Sequence, residues 1–121
     1  MKDFRDLKVW EKAHEIALAS YAITANFPKH EVFGIVAQIR RAASSIGANI
    51  AEGCGRGGNA EFQRFLQMAM GSASELEYHF LLARDLGFLR AEAYEEMLPK
   101  VVEVKRMLAG LIRKVDAERR S

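Results

Sequence analysis

The run Gly53-Cys54-Gly55-Arg56-Gly57-Gly58 matches the glycine spacing of a dinucleotide-binding turn at positions 53, 55 and 58. That turn grips a pyrophosphate only where it follows a strand and opens the helix of a β-α-β unit. Here it follows a helical stretch and no strand pattern precedes it. It reads as a flexible inter-helix hinge, leaving only the backbone amides near Asn59 as a place for a phosphate. Glu11 and His14 form one Glu-x-x-His unit, the element that di-iron helical bundles use in pairs. At the same spacing His30 follows Phe27 and His79 follows Leu76, so no second unit completes a metal site. His14 reads instead as a partly buried ring beside Trp10, Leu18 and Tyr21. Ser44, Ser45 and Cys54 have no base beside them in sequence, so no catalytic residue, metal or cofactor is assigned.

Two further patterns suit recognition rather than catalysis. Gln38, Arg41, Ser45, Asn49, Glu52 and Arg56 recur at spacings of three and four, a polar stripe along one helix face. It contains no lysine and mixes Ser and Asn with Arg and Glu. Such groups either face water or make fixed hydrogen bonds at an interface with another helix, where arginine's planar fork pairs with carboxylates. On helix three the small Gly71 and Ser72, one turn before Glu75, would let another helix approach closely. Both readings stay open. The second pattern is basic: Lys105, Arg106, Arg113, Lys114, Arg119 and Arg120 crowd the end of the chain. Residues 57–99 are acidic and the balance reverses from Lys100 onward, an asymmetry that points to an anionic partner. No aromatic platform interleaves these cations, so backbone contacts to RNA or DNA with little sequence preference are the expectation.

The elements that must position these residues are helices. Periodic segments run from about Leu7 to Ala25, Phe33 to Cys54, Ala60 to Leu86 and Ala91 to Glu118. Asn26-Phe27-Pro28 ends the first, the glycine run ends the second, and Gly87 is placed to cap the third. Pro99 lies inside the fourth, where a kink or short break near Glu95 is the expected accommodation. Met97, Val101, Val104, Leu108, Leu111 and Val115 form a seam in the last helix. Ile35, Ile39, Ala43, Ile46 and Ile50 repeat it in the second, and Phe62, Ala69, Ala73, Leu76, Phe80 and Ala83 in the third. The expected fold is all-α, an antiparallel up-down-up-down four-helix bundle. The apolar surface is wider than one seam, with Leu98, Val102 and Ile112 on helix four and Phe65, Leu66, Met68, Met70 and Leu82 on helix three. Self-association is therefore expected.

The 121 residues, 50% hydrophobic and 28% charged, suit one domain spanning 1–121. One cysteine and two prolines exclude a disulfide-stapled scaffold and a tetrathiolate zinc site. No apolar run approaches the ~18 residues of a membrane span, and the charged start is unlike a signal peptide. A soluble, cytoplasmic protein with no membrane partner is the expectation.

The chain resembles the small bacterial four-helix-bundle proteins encoded by intervening sequences in 23S ribosomal RNA genes. The likeness is tightest over Gln38-Ile39-Arg40-Arg41-Ala42-Ala43-Ser44-Ser45-Ile46-Gly47-Ala48-Asn49-Ile50-Ala51-Glu52-Gly53 and resumes at Gly71-Ser72-Ala73-Ser74-Glu75-Leu76. Gly47 stands where that family usually has proline, and Cys54 where it often has an aromatic or small residue. The resemblance implies a homopentameric ring without catalytic activity. A related group, the accessory variability proteins of diversity-generating retroelements, is similar in fold and binds nucleic acid and a reverse transcriptase through a basic outer surface. The family's motif residues fall here on Arg41, Asn49, Glu52, Arg56 and Glu75, for which the resemblance implies a structural or subunit-contact role.

Overall fold

The computed structural model describes residues 3–121; Met1 and Lys2 of the expected 1–121 domain lie outside the described residues. Four helices account for most of the chain: α1 (Lys8–Thr24), α2 (Ile35–Gly55), α3 (Asn59–Asp85) and α4 (Ala91–Arg120). Short 3-10 turns at Phe4–Asp6 and Lys29–Glu31 precede α1 and α2, and the described residues contain no strand. α1 packs on α2 and α4, and α3 packs on α2 and α4, which gives a bundle-like arrangement with a shared interior.

The interior follows the apolar periodicity. Ile39, Ile46 and Ile50 of α2, Leu66, Leu76 and Phe80 of α3, and Val101, Val104 and Leu108 of α4 are almost completely withdrawn from water. Each such side chain contributes about 1.5–3 kcal/mol on burial. Leu111, expected in the α4 seam, is only half-buried at its edge. Alanines at 42, 43, 69, 73 and 83 are fully buried and let the helices close around the larger groups. Gly53 permits the tightest approach: a methyl group there would sit 2.9 Å from Phe65 Cβ and 3.2 Å from Phe62 Cδ1. Gly47 lies against the indole of Trp10, whose Nε1 would be 3.3 Å from a Cβ at that position.

The helix ends match the breakers, with two corrections. Gly87 caps α3 at φ +81°, with its N–H on Arg84 O and the Phe88 N–H on Ala83 O at 3.0 and 2.9 Å, the pairing of a Schellman motif. The glycine run is shorter as a hinge than expected, because α2 remains helical through Gly55 and only Arg56–Gly58 form the turn. α4 also continues without a break through Pro99. The proline ring and Glu95, whose carbonyl loses its usual donor, are both exposed, so water can take the place of the missing N–H.

The surplus apolar surface is not where α4 was expected to show it. Leu98, Val102 and Ile112 are half-buried within the chain, whereas Leu18, Tyr21, Val32, Phe33, Met68, Tyr78 and Leu86 are exposed, Phe33 at 93%. Among the described residues no helix is long and apolar enough to cross a membrane.

Candidate functional site

The polar stripe of α2 divides in two. Its first half faces α3. Arg41 Nη2 donates to Glu75 Oε2 at 2.6 Å and to Gln38 Oε1 at 2.6 Å. The same Glu75 oxygen lies 3.2 Å from His79 Nε2. One turn along, the hydroxyls of Ser45 and Ser72 lie 2.9 Å apart, and Asn49 Nδ2 donates back to the Ser45 carbonyl at 2.9 Å. The Arg41 guanidinium, and after it the His79 ring, hold the Glu75 carboxyl below its ordinary value.

The second half faces water. Arg56 pairs with Glu52 at 2.7 Å on the same helix, both side chains about half exposed. Arg56 and Arg64 also lie over the buried Phe65 ring, at 5.0 and 4.6 Å from its centroid. Glu61, bonded to Arg64 at 3.0 Å, is held below its ordinary value by that guanidinium. The stripe is thus an inter-helix network from Arg41 to Asn49 and a solvated face from Glu52 to Arg56. Ser72 and His79, which complete the network, were missed because they lie on α3: Ser72 meets Ser45 of α2, and His79 joins through Glu75, the carboxylate that Arg41 reaches across the helices. The stripe's own spacing could name only one side of the contact.

The basic residues of α4 divide in the same way. Lys105 reaches Glu77 of α3 at 2.9 Å, and Arg119 donates to Gln63 of α3. Arg120 is held by Asp116 at 2.9 Å. Asp116 in turn is held below its ordinary value by Arg120 and by Gln63. Arg106, Arg113 and Lys114 are exposed, and among the described residues none has a carboxylate partner. At 3.6 residues per turn these three lie opposite the buried line of Val104, Leu108 and Val115. The six cations therefore differ in pairing: Lys105 and Arg120 each have a carboxylate and Arg119 an amide, whereas Arg106, Arg113 and Lys114 have neither among the described residues. All but Lys105 are exposed.

The remaining sequence candidates are dispersed. His14 is more exposed than expected and stacks on Trp10 at 4.9 Å between ring centroids. Ser44 Oγ donates to the Arg40 carbonyl at 2.9 Å. Cys54 is buried at the rim of a cleft of about 300 Å³ with Arg56, Gly57, Gly58 and Asn59. Among the described residues no group of three or more His, Cys, Asp or Glu side chains is placed to hold a metal ion. A shallow groove of about 410 Å³ runs between α1 and α2, walled by Trp10, His14, Leu18 and Tyr21 on one side and by Ser44, Gly47, Ala48 and Ala51 on the other.

Comparison with known proteins places this arrangement. The chain is similar in structure to a crystallised protein of unknown function from the S23 ribosomal protein family of Bacteroides thetaiotaomicron VPI-5482. The sequences are 30% identical, the TM-score is 0.78, and the match covers 86% of this chain and 97% of that one. None of the curated proteins matches. Residues 5–110 match the family described as 23S rRNA-intervening sequence protein, a stretch that holds the whole α2–α3 polar network and stops short of Arg113 and Lys114. With nearly all of its four helices inside that match, the chain belongs to the 23S rRNA-intervening sequence protein family.

Proposed function

We propose that this chain is a non-enzymatic, self-assembling bundle protein that holds RNA or DNA on the outward face of α4, as an accessory to a nucleic-acid enzyme such as a reverse transcriptase. The observation that carries the nucleic-acid reading is the division of the α4 cations. Lys105 and Arg120 are paired with carboxylates of the chain and Arg119 with the Gln63 amide, while Arg106, Arg113 and Lys114 have no carboxylate partner among the described residues and remain for an external anion. Exposed cations without carboxylate partners suit phosphate contacts that position a backbone without reading bases.

The bundle is taken to run up, down, up, down. Rising numbers on one helix meet falling numbers on the next in the pairs Thr24 with Arg40 and Trp10 with Gly47. The same holds for Arg41 with Glu75 and Gly53 with Phe65, and for Gln63 with Asp116 and Glu77 with Lys105. Assembly into a closed ring, five copies by the family resemblance, is supported by the exposed Leu18 and Tyr21 beside the α1–α2 groove. The working compartment is taken as the cytoplasm, in keeping with a lone cysteine.

Light scattering at micromolar concentration is expected to report a multiple of the 13.6 kDa chain mass, and a single-chain mass refutes the assembly. Duplex DNA and structured RNA are expected to bind at low salt and to release steeply as salt rises. A second reading, a protein-interaction module without nucleic acid, is favoured by the same uncharged groove between α1 and α2. Absence of binding to either nucleic acid at low salt selects it.

A further inference from the structure

We propose that Gly110 and the three cations around it form a seat for the phosphate backbone of a nucleic acid; this rests on the nucleic-acid reading above and specifies where contact occurs. Gly110 lies deep inside the 30-residue helix α4, where glycine is the poorest residue after proline. The glycines at 47 and 53 have reasons within the chain, since a methyl group would press on Trp10 or Phe65. Gly71 and Gly110 have none, an added Cβ at 110 meeting only Arg113 Nη2, at 3.9 Å. Of the two, only Gly110 has cations one turn to either side, Gly71 having Gln67, Met68, Ser74 and Glu75 there. Nothing inside the molecule calls for the missing side chain.

The surroundings supply a reason outside it. Arg106 stands one turn before Gly110, and Arg113 and Lys114 one turn after, on the face turned away from the core. Residues three and four apart are neighbours on a helix surface, so the three cations border the glycine. Without a side chain at 110 the surface drops to the backbone there. A phosphate can then settle between the three cations without meeting a methyl group. The other charged residue on this line, Glu103, is seven positions from Gly110 and is drawn toward Lys12 of α1 at 3.6 Å. Within four positions of Gly110 on α4 every charged residue is a cation.

The geometry favours a polymer over a free phosphate. The seat is open, with no enclosing wall and exposed side chains, so water screens each contact. A single ion gains little from such a site. A chain of phosphates meets Arg106 and Arg113 together, about 10.5 Å apart along the helix at ~1.5 Å per residue. In the proposed assembly it would also meet the same seat on neighbouring copies, and the linked contacts gain by avidity. Arginine's fork suits two phosphate oxygens at once, and the lysine adds a point charge.

The test compares two triple variants of the full chain, R106A/R113A/K114A and K105A/R119A/R120A, by anisotropy on duplex DNA and a structured RNA over a salt series. The first is expected to flatten the salt slope on duplex DNA by about 2.7 for each chain engaged, at ~0.9 per lost phosphate contact. The second, which removes cations held within the chain, is expected to change the slope much less. G110A separates the seat from general charge: it is expected to raise the melting temperature while weakening binding several-fold at fixed salt. Wild-type binding with equal slope losses in the two triples, or with G110A as tight as wild type, overturns the seat and leaves the nucleic-acid reading standing. No wild-type binding at low salt removes that reading and the seat with it. Binding to phosphatidylserine vesicles that needs the three cations, without binding to either nucleic acid, also overturns the proposal.

Discussion

Gly53→Ala and Gly71→Ala add the same methyl group to helix interiors, and the structure assigns them opposite signs. Alanine is favoured over glycine in a helix by about 1 kcal/mol, partly because the unfolded glycine has more freedom to lose. At Gly71 nothing lies within 4 Å of the added Cβ, so the variant should gain roughly 0.5–1 kcal/mol. At Gly53 the methyl group would lie 2.9 Å from Phe65 Cβ, which is tied to the α3 backbone, and 3.2 Å from the Phe62 ring. Both phenylalanines are 4% exposed, so neither can swing into water. Relief requires α2 and α3 to separate, and overpacking of this kind costs about 1–3 kcal/mol. Set against the helix gain, Gly53→Ala should lose roughly 0.5–2 kcal/mol. Urea unfolding at a fixed protein concentration, so that any assembly contributes equally, measures both. A Gly53→Ala variant as stable as wild type would refute the close-approach argument. A Gly71→Ala variant less stable than wild type would show that something outside the chain packs on α3 there.

Glu52→Ala should change stability by no more than about 0.5 kcal/mol, because its pair with Arg56 is exposed and lies within one helix turn; thermal unfolding of the variant checks this. Thr24→Val should cost roughly 1–3 kcal/mol. Its hydroxyl is buried, donates to the Ser20 carbonyl at 2.7 Å and accepts from Arg40 Nε at 2.9 Å. Thr24→Ser, which keeps the hydroxyl, should lose much less in the same denaturation assay. Glu75 is held below its ordinary value of 4.5 by Arg41 and then His79, so near that value the unfolded chain binds more protons than the folded one. Its contribution is complete above about pH 4.5 and disappears as pH falls through the lower folded value. Glu75→Gln should therefore flatten the acid limb of the stability profile, and a limb as steep as wild type would contradict the Arg41 contact.

Helix number, the approximate limits of each helix and most of the core were legible in the residues themselves. Spacings of three and four place Ile39, Ile46 and Ile50 on one face wherever the chain is helical, and burying such a face is the main way a short helix becomes stable in water. The cap at Gly87 was legible too, because a left-handed position strongly favours glycine. What periodicity could not supply was the identity of the neighbour across each face. It grouped Arg41 with Glu52, yet only Arg41 has a carboxylate waiting on α3. It grouped six basic residues at the end of the chain, yet Glu77, Gln63 and Asp116 hold three of them. Glycine carried the same ambiguity: positions 53, 71 and 110 are all helical, but only 53 lies against another helix closely enough to exclude a side chain. Local pattern is set by the turn of a single helix, whereas the energy of a polar, charged or missing side chain depends on the atom it meets from another. That meeting is decided only when the helices pack.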